Sequence, residues 1–312
     1  MRRRNFLAAG GATLAAGLAG CSSLNPTDDS GSGDSYTVTM EPVGEISFDS
    51  VPETWLANNG SWADMGIALG VDAPEAVYLS SRYHTQLYDE IPGVDVDGSD
   101  VEDLWLDSGL SEEKFRQFDA DVHVMDPNFI VNRSKWSQDT IDTLESVAPF
   151  AANSIFSTGY EWHEDYPYYS LYEAFEKLAQ IFQRTDRYEE FASLHEEFQS
   201  SVSDIVPPES ERPSVAIMWA GGNQPTSFSP YLISEGTSFK QWRDLGVTDA
   251  LADTDVHDFH ATRAEIDFEM LLEIDPDVLL FRGHENQTAE EFQNTVVSFL
   301  AADTTARKLT AV

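Results

Sequence analysis

Ile266-Asp267-Phe268-Glu269-Met270-Leu271-Leu272-Glu273-Ile274-Asp275-Pro276-Asp277-Val278 reads as a short helix, a turn and the start of a buried strand. A close echo stands earlier, as Leu110-Ser111-Glu112-Glu113-Lys114-Phe115-Arg116-Gln117-Phe118-Asp119-Ala120-Asp121-Val122. Glu113 aligns with Glu269, Asp119 with Asp275, Asp121 with Asp277 and Val122 with Val278, and the apolar positions largely match. Two distant copies of one helix–turn–strand unit predict two lobes built alike.

Outward from these units the chain alternates short apolar runs with helical periodicity, the α/β pattern. Strands are expected at Thr54–Ala57, Ala76–Leu79, Val122–Met125, Ser214–Trp219 and Val278–Phe281, after a hairpin of Tyr36–Met40 and Glu45–Phe48. Helices are expected at Trp62–Leu69, Glu112–Phe118, Asp139–Val147, Leu171–Gln183, Arg187–Val206, Ser238–Leu245 and Ala289–Ala301. Leu171, Phe175, Leu178 and Phe182 make one core-facing stripe, and Tyr188, Phe191, Leu194, Phe198 and Val202 a second. Thr185 or Asp186 is placed to cap the second helix, and Pro207, Pro208 and Pro213 mark a boundary. The expected fold is therefore α/β: two lobes, each a mainly parallel sheet flanked by helices, joined by a long helical connection. The expected organisation is an N-terminal lobe over 36–169, linking helices over 170–206 and a C-terminal lobe over 207–312.

The first residues read as an export signal. Arg2-Arg3-Arg4-Asn5-Phe6-Leu7 leads into the uncharged run Ala8–Gly20, and Leu18-Ala19-Gly20 precedes Cys21, the single cysteine. This is a signal peptide over 1–20 with a lipobox, and Cys21 is the expected lipidation site. The apolar run is shorter than the ~20 residues of a membrane span. Residues 21–35, rich in Ser, Gly and Asp, read as a tether rather than a place for a buried thiol. Arg3-Arg4-Asn5-Phe6-Leu7 also resembles the twin-arginine signal, although three arginines serve the general secretion route too.

Composition restricts partners. The chain has 18 Lys+Arg against 55 Asp+Glu, a formal charge of −37. Removing residues 1–20 takes away three arginines and leaves a net charge near −40. Nucleic acid and anionic membrane surfaces are disfavoured as partners. An acidic coat of this density suits a halophile, because molar salt screens self-repulsion to about 3 Å. With 41% hydrophobic and 12% aromatic residues, the chain has material for a core. A lipidated Cys21 leaves no disulfide within the mature chain.

The lipobox, two αβ lobes, the long helical connection and the repeated helix–Asp–strand unit together resemble the substrate-binding lipoproteins of ABC importers. The narrower resemblance is to the class for iron–siderophores, haem and cobalamin, and it runs from Tyr36 to about Ala301. Thr54–Gly70 resembles that family's first strand and helix, and Leu110–Met125 and Ile266–Phe281 its two helix-then-strand segments. The resemblance implies a ligand held between lobes joined by a rigid helix, and delivery to a permease with its ATPase. It also implies one docking glutamate per lobe, at Glu113 and Glu269. The family continues past Ala301 with a further strand and helix, so a final unit is either missing here or trimmed. The implied place of work is outside the cytoplasm, anchored by lipid to the outer face of the cell membrane.

Ligands of open α/β lobes bind beyond the carboxyl ends of strands, and this rule selects the candidate residues. They are Asn58, Asn59 and Trp62 after the first lobe strand, then Arg82, Tyr83 and His84, then Asn128. In the second lobe they are Trp219, Asn223, Tyr231, His260, Arg263 and Arg282. Arginine forks suit carboxylates and other oxyanions, and the aromatic residues suit a bulky chelate. The expected ligand is an Fe(III)-siderophore or similar chelate, with no resident cofactor or metal.

Other readings are open from the residues. His257 and His260, with Asp255 and Asp258, form a candidate bare-metal set without the three or four defined ligands of zinc sites. His84, His163, His284 or Tyr83 is a candidate axial haem ligand, while His123 lies within a strand and reads as structural. Neither Gly-x-Ser-x-Gly nor His-Glu-x-x-His occurs, so no catalytic residue is assigned. A lipoprotein of this fold without a ligand is a third reading.

Overall fold

The computed structural model describes residues 35–106, 109–158 and 160–311. The signal peptide, Cys21 and nearly all of the tether lie outside the described residues. No described helix is long and apolar enough to cross a membrane.

The chain opens with an antiparallel hairpin, β1 (Tyr36–Met40) and β2 (Gly44–Phe48). Alternate residues point inward, which buries Val38, Met40, Ile46 and Phe48. Then come β3 (Trp55–Ala57), α1 (Gly60–Ala68), β4 (Ala76–Val77) and β5 (Glu102–Asp103). A small antiparallel pair, β6 (Trp105–Leu106) and β7 (Gly109–Leu110), leads to α2 (Glu112–Gln117), β8 (Val122–Val124), α3 (Pro127–Ser134) and α4 (Gln138–Glu145). The lobe's sheet is wholly parallel, in the order β5-β4-β3-β8. Every residue of β3 and β8 is buried, as expected of parallel strands covered on both faces.

Two antiparallel helices follow, α5 (Leu171–Ile181) and α6 (Thr185–Ser203). Ser170 and Glu173 form a reciprocal capping box at the start of α5. Phe175, Leu178 and Phe182 join the cluster around Trp55 and Trp62, so α5 is built into the first lobe's core. The second expected stripe is only half core. Tyr188 and Phe191 pack on that cluster and Val202 is buried, but Leu194 and Phe198 are 61% and 60% exposed. The reason is length: α5 has 11 residues against 19 in α6 and extends only to His195, on which Tyr172 stacks at 4.4 Å. Thr185 and Asp186 stand in the first turn of α6, and the cap residue is Arg184, without a side-chain bond.

The second lobe is centred on β9 (Ser214–Trp219). After it come β10 (Ser229–Tyr231), α7 (Lys240–Asp244), β11 (Thr248–Asp249), α8 (Phe259–Thr262), α9 (Phe268–Ile274) and β12 (Val278–Arg282). β9 is parallel to β11 and β12 and antiparallel to β10. A helical segment follows: α10 (Ala289–Phe292), a π turn (Gln293–Val297) and α11 (Ser298–Ala302).

The repeated unit is a structural repeat. After α2 and after α9 the chain turns through left-handed residues, Asp119 at φ 47° and Asp275 at φ 45°. Asp121 accepts from the backbone N–H groups of Glu53 and Thr54 at 2.8 and 2.9 Å, beside the start of β3. Asp277 accepts from the N–H and hydroxyl of Ser214, both at 2.8 Å, at the start of β9. In each lobe the aspartate pins the strand that its own strand then pairs with.

Candidate ligand cleft

At the carboxyl end of the first sheet, polar side chains fix the loops. Asn58 is 7% exposed, donates its N–H to the Val124 carbonyl at 2.9 Å and accepts from the Asp126 N–H at 3.2 Å. Asn59 caps α1 by accepting from the Trp62 N–H. Asn128 is exposed in the first turn of α3, which Asp126 caps. Trp62 and Tyr83, expected to pack on a ligand, are instead 1% and 8% exposed within the core. Trp62 shares one buried cluster with Phe175 and Leu178 of α5, and the Tyr83 hydroxyl stands 3.2 Å from that of Tyr88.

Beyond these loops four arginines gather. Arg82 ends a 3₁₀ turn after β4, and Arg133 lies in the last turn of α3. Arg263 follows α8 in a left-handed conformation, and Arg282 is the last residue of β12. Three phenols lie among them. Burial raises Tyr78, while Arg133, which also hydrogen-bonds it, and Arg82 oppose the rise. Burial pushes Tyr160 up to about 12, against the charges of Arg263 and Arg133. Burial likewise raises Tyr231, opposed by Arg282, Arg82 and Arg263. Arginines of both lobes thus act on the same phenols.

Aromatic rings line this space. The Arg282 guanidinium lies 4.9 Å from the Tyr231 ring centre and 5.8 Å from that of Phe156, and Arg263 lies 4.9 Å from Phe259. His260 faces Tyr231 at 5.0 Å, Tyr160 at 5.7 Å and Phe156 at 5.8 Å. Among the described residues none of the four arginines forms an ion pair, and Nη1 of Arg282 is buried without a hydrogen-bond partner. A buried guanidinium N–H left unpaired is costly, so this group is suited to an oxyanion.

The remaining candidates each have their own neighbours. Trp219, 46% exposed, lies across Gly221 and Gly283, where an added Cβ would meet the indole at 2.7 and 2.5 Å. Asn223 accepts from Gln287 at 2.8 Å and joins two loops. His84 is partly exposed, and its charge and that of Arg282 act on Glu285. His163 stacks on Tyr166 at 4.1 Å, and His284 packs on Phe292 at 5.3 Å. His260 Nδ1 stands 3.3 Å from Asp258, and among the described residues no group of three or more His, Cys, Asp or Glu side chains could hold a metal ion. The bare-metal reading of His257 and His260 therefore lacks a ligand set.

Sequence reasoning missed Arg133, Tyr78, Phe156 and Tyr160. A signal was present: Tyr160, Trp162, His163, Tyr166, Tyr168 and Tyr169 crowd the stretch just before the linking helices. Arg133 gave none, because it lies a full helix beyond its strand end.

Two like-built α/β lobes facing an arginine-and-aromatic cleft define a solute-binding protein. The chain belongs to the periplasmic binding protein family, whose model matches residues 121–312. That family is a non-enzymatic, extracytoplasmic solute-binding class. No curated protein matches the sequence. Among solved structures the chain is similar to the petrobactin-binding protein YclQ of Bacillus subtilis, at 14% identity and TM-score 0.60, over 90% of this chain and 87% of that one. It is similar to the triscatecholate siderophore binding protein FeuA of Bacillus subtilis, at 13% identity and TM-score 0.58, over 89% and 86%. It is also similar to the iron uptake ABC transporter substrate-binding protein PiuA of Streptococcus pneumoniae, at 16% identity and TM-score 0.58, over 88% of each chain. At these identities the likeness is one of fold.

Proposed function

We propose that this protein captures a ferric siderophore, or a closely related anionic metal chelate, between its lobes and delivers it to an ABC permease. The observation that carries the reading is the set Arg82, Arg133, Arg263 and Arg282, drawn from both lobes and free of ion pairs among the described residues, in a chain with 55 acidic residues. With so many carboxylates available, four guanidiniums around one aromatic space that have no carboxylate partner among the described residues favour an anionic ligand from outside. The similar structures named for petrobactin, for a triscatecholate siderophore and for iron uptake support iron chelates as the cargo. Iron arrives within the ligand, and the protein needs no cofactor.

Glu113 and Glu269 are both exposed, on α2 and α9, at equivalent places of the structural repeat. This symmetry supports one docking acid per lobe for a permease. The signal at residues 1–20 supports export, through the twin-arginine route, and the lipobox supports a lipid anchor at Cys21. The charge of −37 supports a salt-rich habitat.

The test is a tryptophan-fluorescence titration of the mature protein in molar salt. Ferric catecholates, ferric hydroxamates, haem, cobalamin and Zn²⁺ are compared, with correction for ligand absorbance. Saturable quenching by a ferric chelate at micromolar concentration or below is expected. Saturation by haem, cobalamin or Zn²⁺ alone would replace the reading.

A further inference from the structure

The cleft is occupied by the protein itself. The Tyr160 ring stacks on Trp162 at 4.6 Å and 16°, and has Phe129 of α3 at 6.3 Å and His260 of α8 at 5.7 Å. It therefore lies between the two lobes, in contact range of rings from each. Its hydroxyl feels the charges of Arg133 from the first lobe and Arg263 from the second. The segment that carries it is held at its far end: the Tyr166 hydroxyl donates to Asp126 at 3.0 Å and accepts from the Ser154 N–H at 2.7 Å. The Tyr160 carbonyl accepts from the His163 N–H at 3.0 Å, but its hydroxyl has no hydrogen bond among the described residues; stacking and burial hold the ring. A planar ring with one phenolic hydroxyl thus fills a slot of aromatic walls and cationic rims.

We infer that Tyr160 is a built-in occupant of an aryl subsite, and that the ligand is an aryl-oxygen chelate, a catecholate or phenolate, whose ring displaces it. This deepens the proposed function and rests on it. The slot selects by two properties at once. Stacking on Trp162 and edge-on contact with Phe129 reward a flat ring, and Arg133 and Arg263 reward negative oxygen on that ring. A hydroxamate arm carries no such ring, and a carboxylate arm supplies charge without a stacking face. While Tyr160 fills the slot, the binding-competent fraction is reduced, and apparent affinity falls in proportion.

Stopped-flow and equilibrium titrations of the whole mature protein test this, with ferric 2,3-dihydroxybenzoate complex, ferrioxamine and ferric citrate as probes. Wild type is expected to prefer the ferric dihydroxybenzoate. Tyr160→Ala is expected to bind that probe at least tenfold faster and several-fold tighter, while Tyr160→Phe, which keeps the ring, stays near wild type in rate. Equal or weaker binding by Tyr160→Ala, with the probe still bound by wild type, would overturn the displacement while leaving the cleft assignment intact. Absence of binding of every ferric probe to wild type and variant would overturn both. Hydrogen exchange on wild type reads the same event without a substitution. Amides from Tyr160 to Trp162 are expected to exchange faster with the dihydroxybenzoate complex bound, and protection of those amides would overturn the inference.

Discussion

The Tyr166 hydroxyl donates a 3.0 Å hydrogen bond to the Asp126 carboxylate, which is 1% exposed at the carboxyl end of β8. One residue thereby joins the aromatic segment before the linking helices to the cap of α3, the helix that carries Arg133. Burial pushes Asp126 up to about 6, although Tyr166 and the N–H groups of Asn128 and Phe129 oppose the rise. A carboxyl raised on folding contributes stability below its unfolded value near 3.8 and loses it as pH climbs through about 6. Wild type is expected to lose on the order of 3 kcal/mol from this group between pH 4 and pH 7. Urea denaturation of wild type and Asp126→Asn at those pH values should show their difference shifting in the variant's favour as pH rises. A constant difference would refute the assignment.

His123 acts with the opposite sign. Its ring lies between Phe115 at 5.4 Å and Phe150 at 4.9 Å, with Nδ1 buried and unpartnered. Burial lowers it from 6.5 to about 4, so its contribution is complete above pH 6.5 and is lost as pH falls toward 4. His123→Phe should remove a loss on the order of 3 kcal/mol over that window. Acid titration followed by circular dichroism is expected to place the variant's unfolding at lower pH than wild type's, and coincident midpoints would count against it.

Gly66 marks a close approach in the first lobe. A Cβ there would stand 2.6 Å from the Trp55 ring, which is 1% exposed and anchored by its indole N–H to the Asp72 carbonyl at 2.9 Å. Alanine is the better helix former by about 1 kcal/mol, but overpacking costs about 1–3 kcal/mol. Gly66→Ala is therefore expected to lower the melting temperature, and a rise in calorimetry would show that Trp55 can yield.

The two halves of the α6 stripe should respond differently to substitution. Leu194→Gln and Phe198→Ser, at exposed positions, are expected to change stability by about 0.5 kcal/mol or less each. Leu178→Ala, at a fully buried position of α5, is expected to cost about 2–5 kcal/mol. Comparable losses at all three positions in urea titrations would place a hidden partner on α6.

How much of this was legible in the sequence follows from the range of each signal. The unit around Asp121 and its copy around Asp277 were readable because helix, turn and strand signals are local. Their hydrogen bonds to Thr54 and Ser214 explain why those aspartates occur in both. Arg82, Arg263 and Arg282 were found because they directly follow strands or sit in loops. Trp62 was misplaced because a helix start does not tell which face meets the core, and Phe198 because periodicity says nothing about how far a partner helix extends. Tyr160 precedes a helix rather than following a strand, so its place between the lobes depends on contacts to His260 that lie a hundred residues further on.

The proposed role of the four cleft arginines is to hold an anionic ferric chelate. Its most direct test is calorimetric titration of wild type and of the fourfold variant R82Q/R133Q/R263Q/R282Q with the ferric dihydroxybenzoate complex. A dissociation constant at or below micromolar is expected for wild type and a loss of at least a hundredfold for the variant, with its melting temperature within a few degrees. Equal affinity in a folded variant would contradict it.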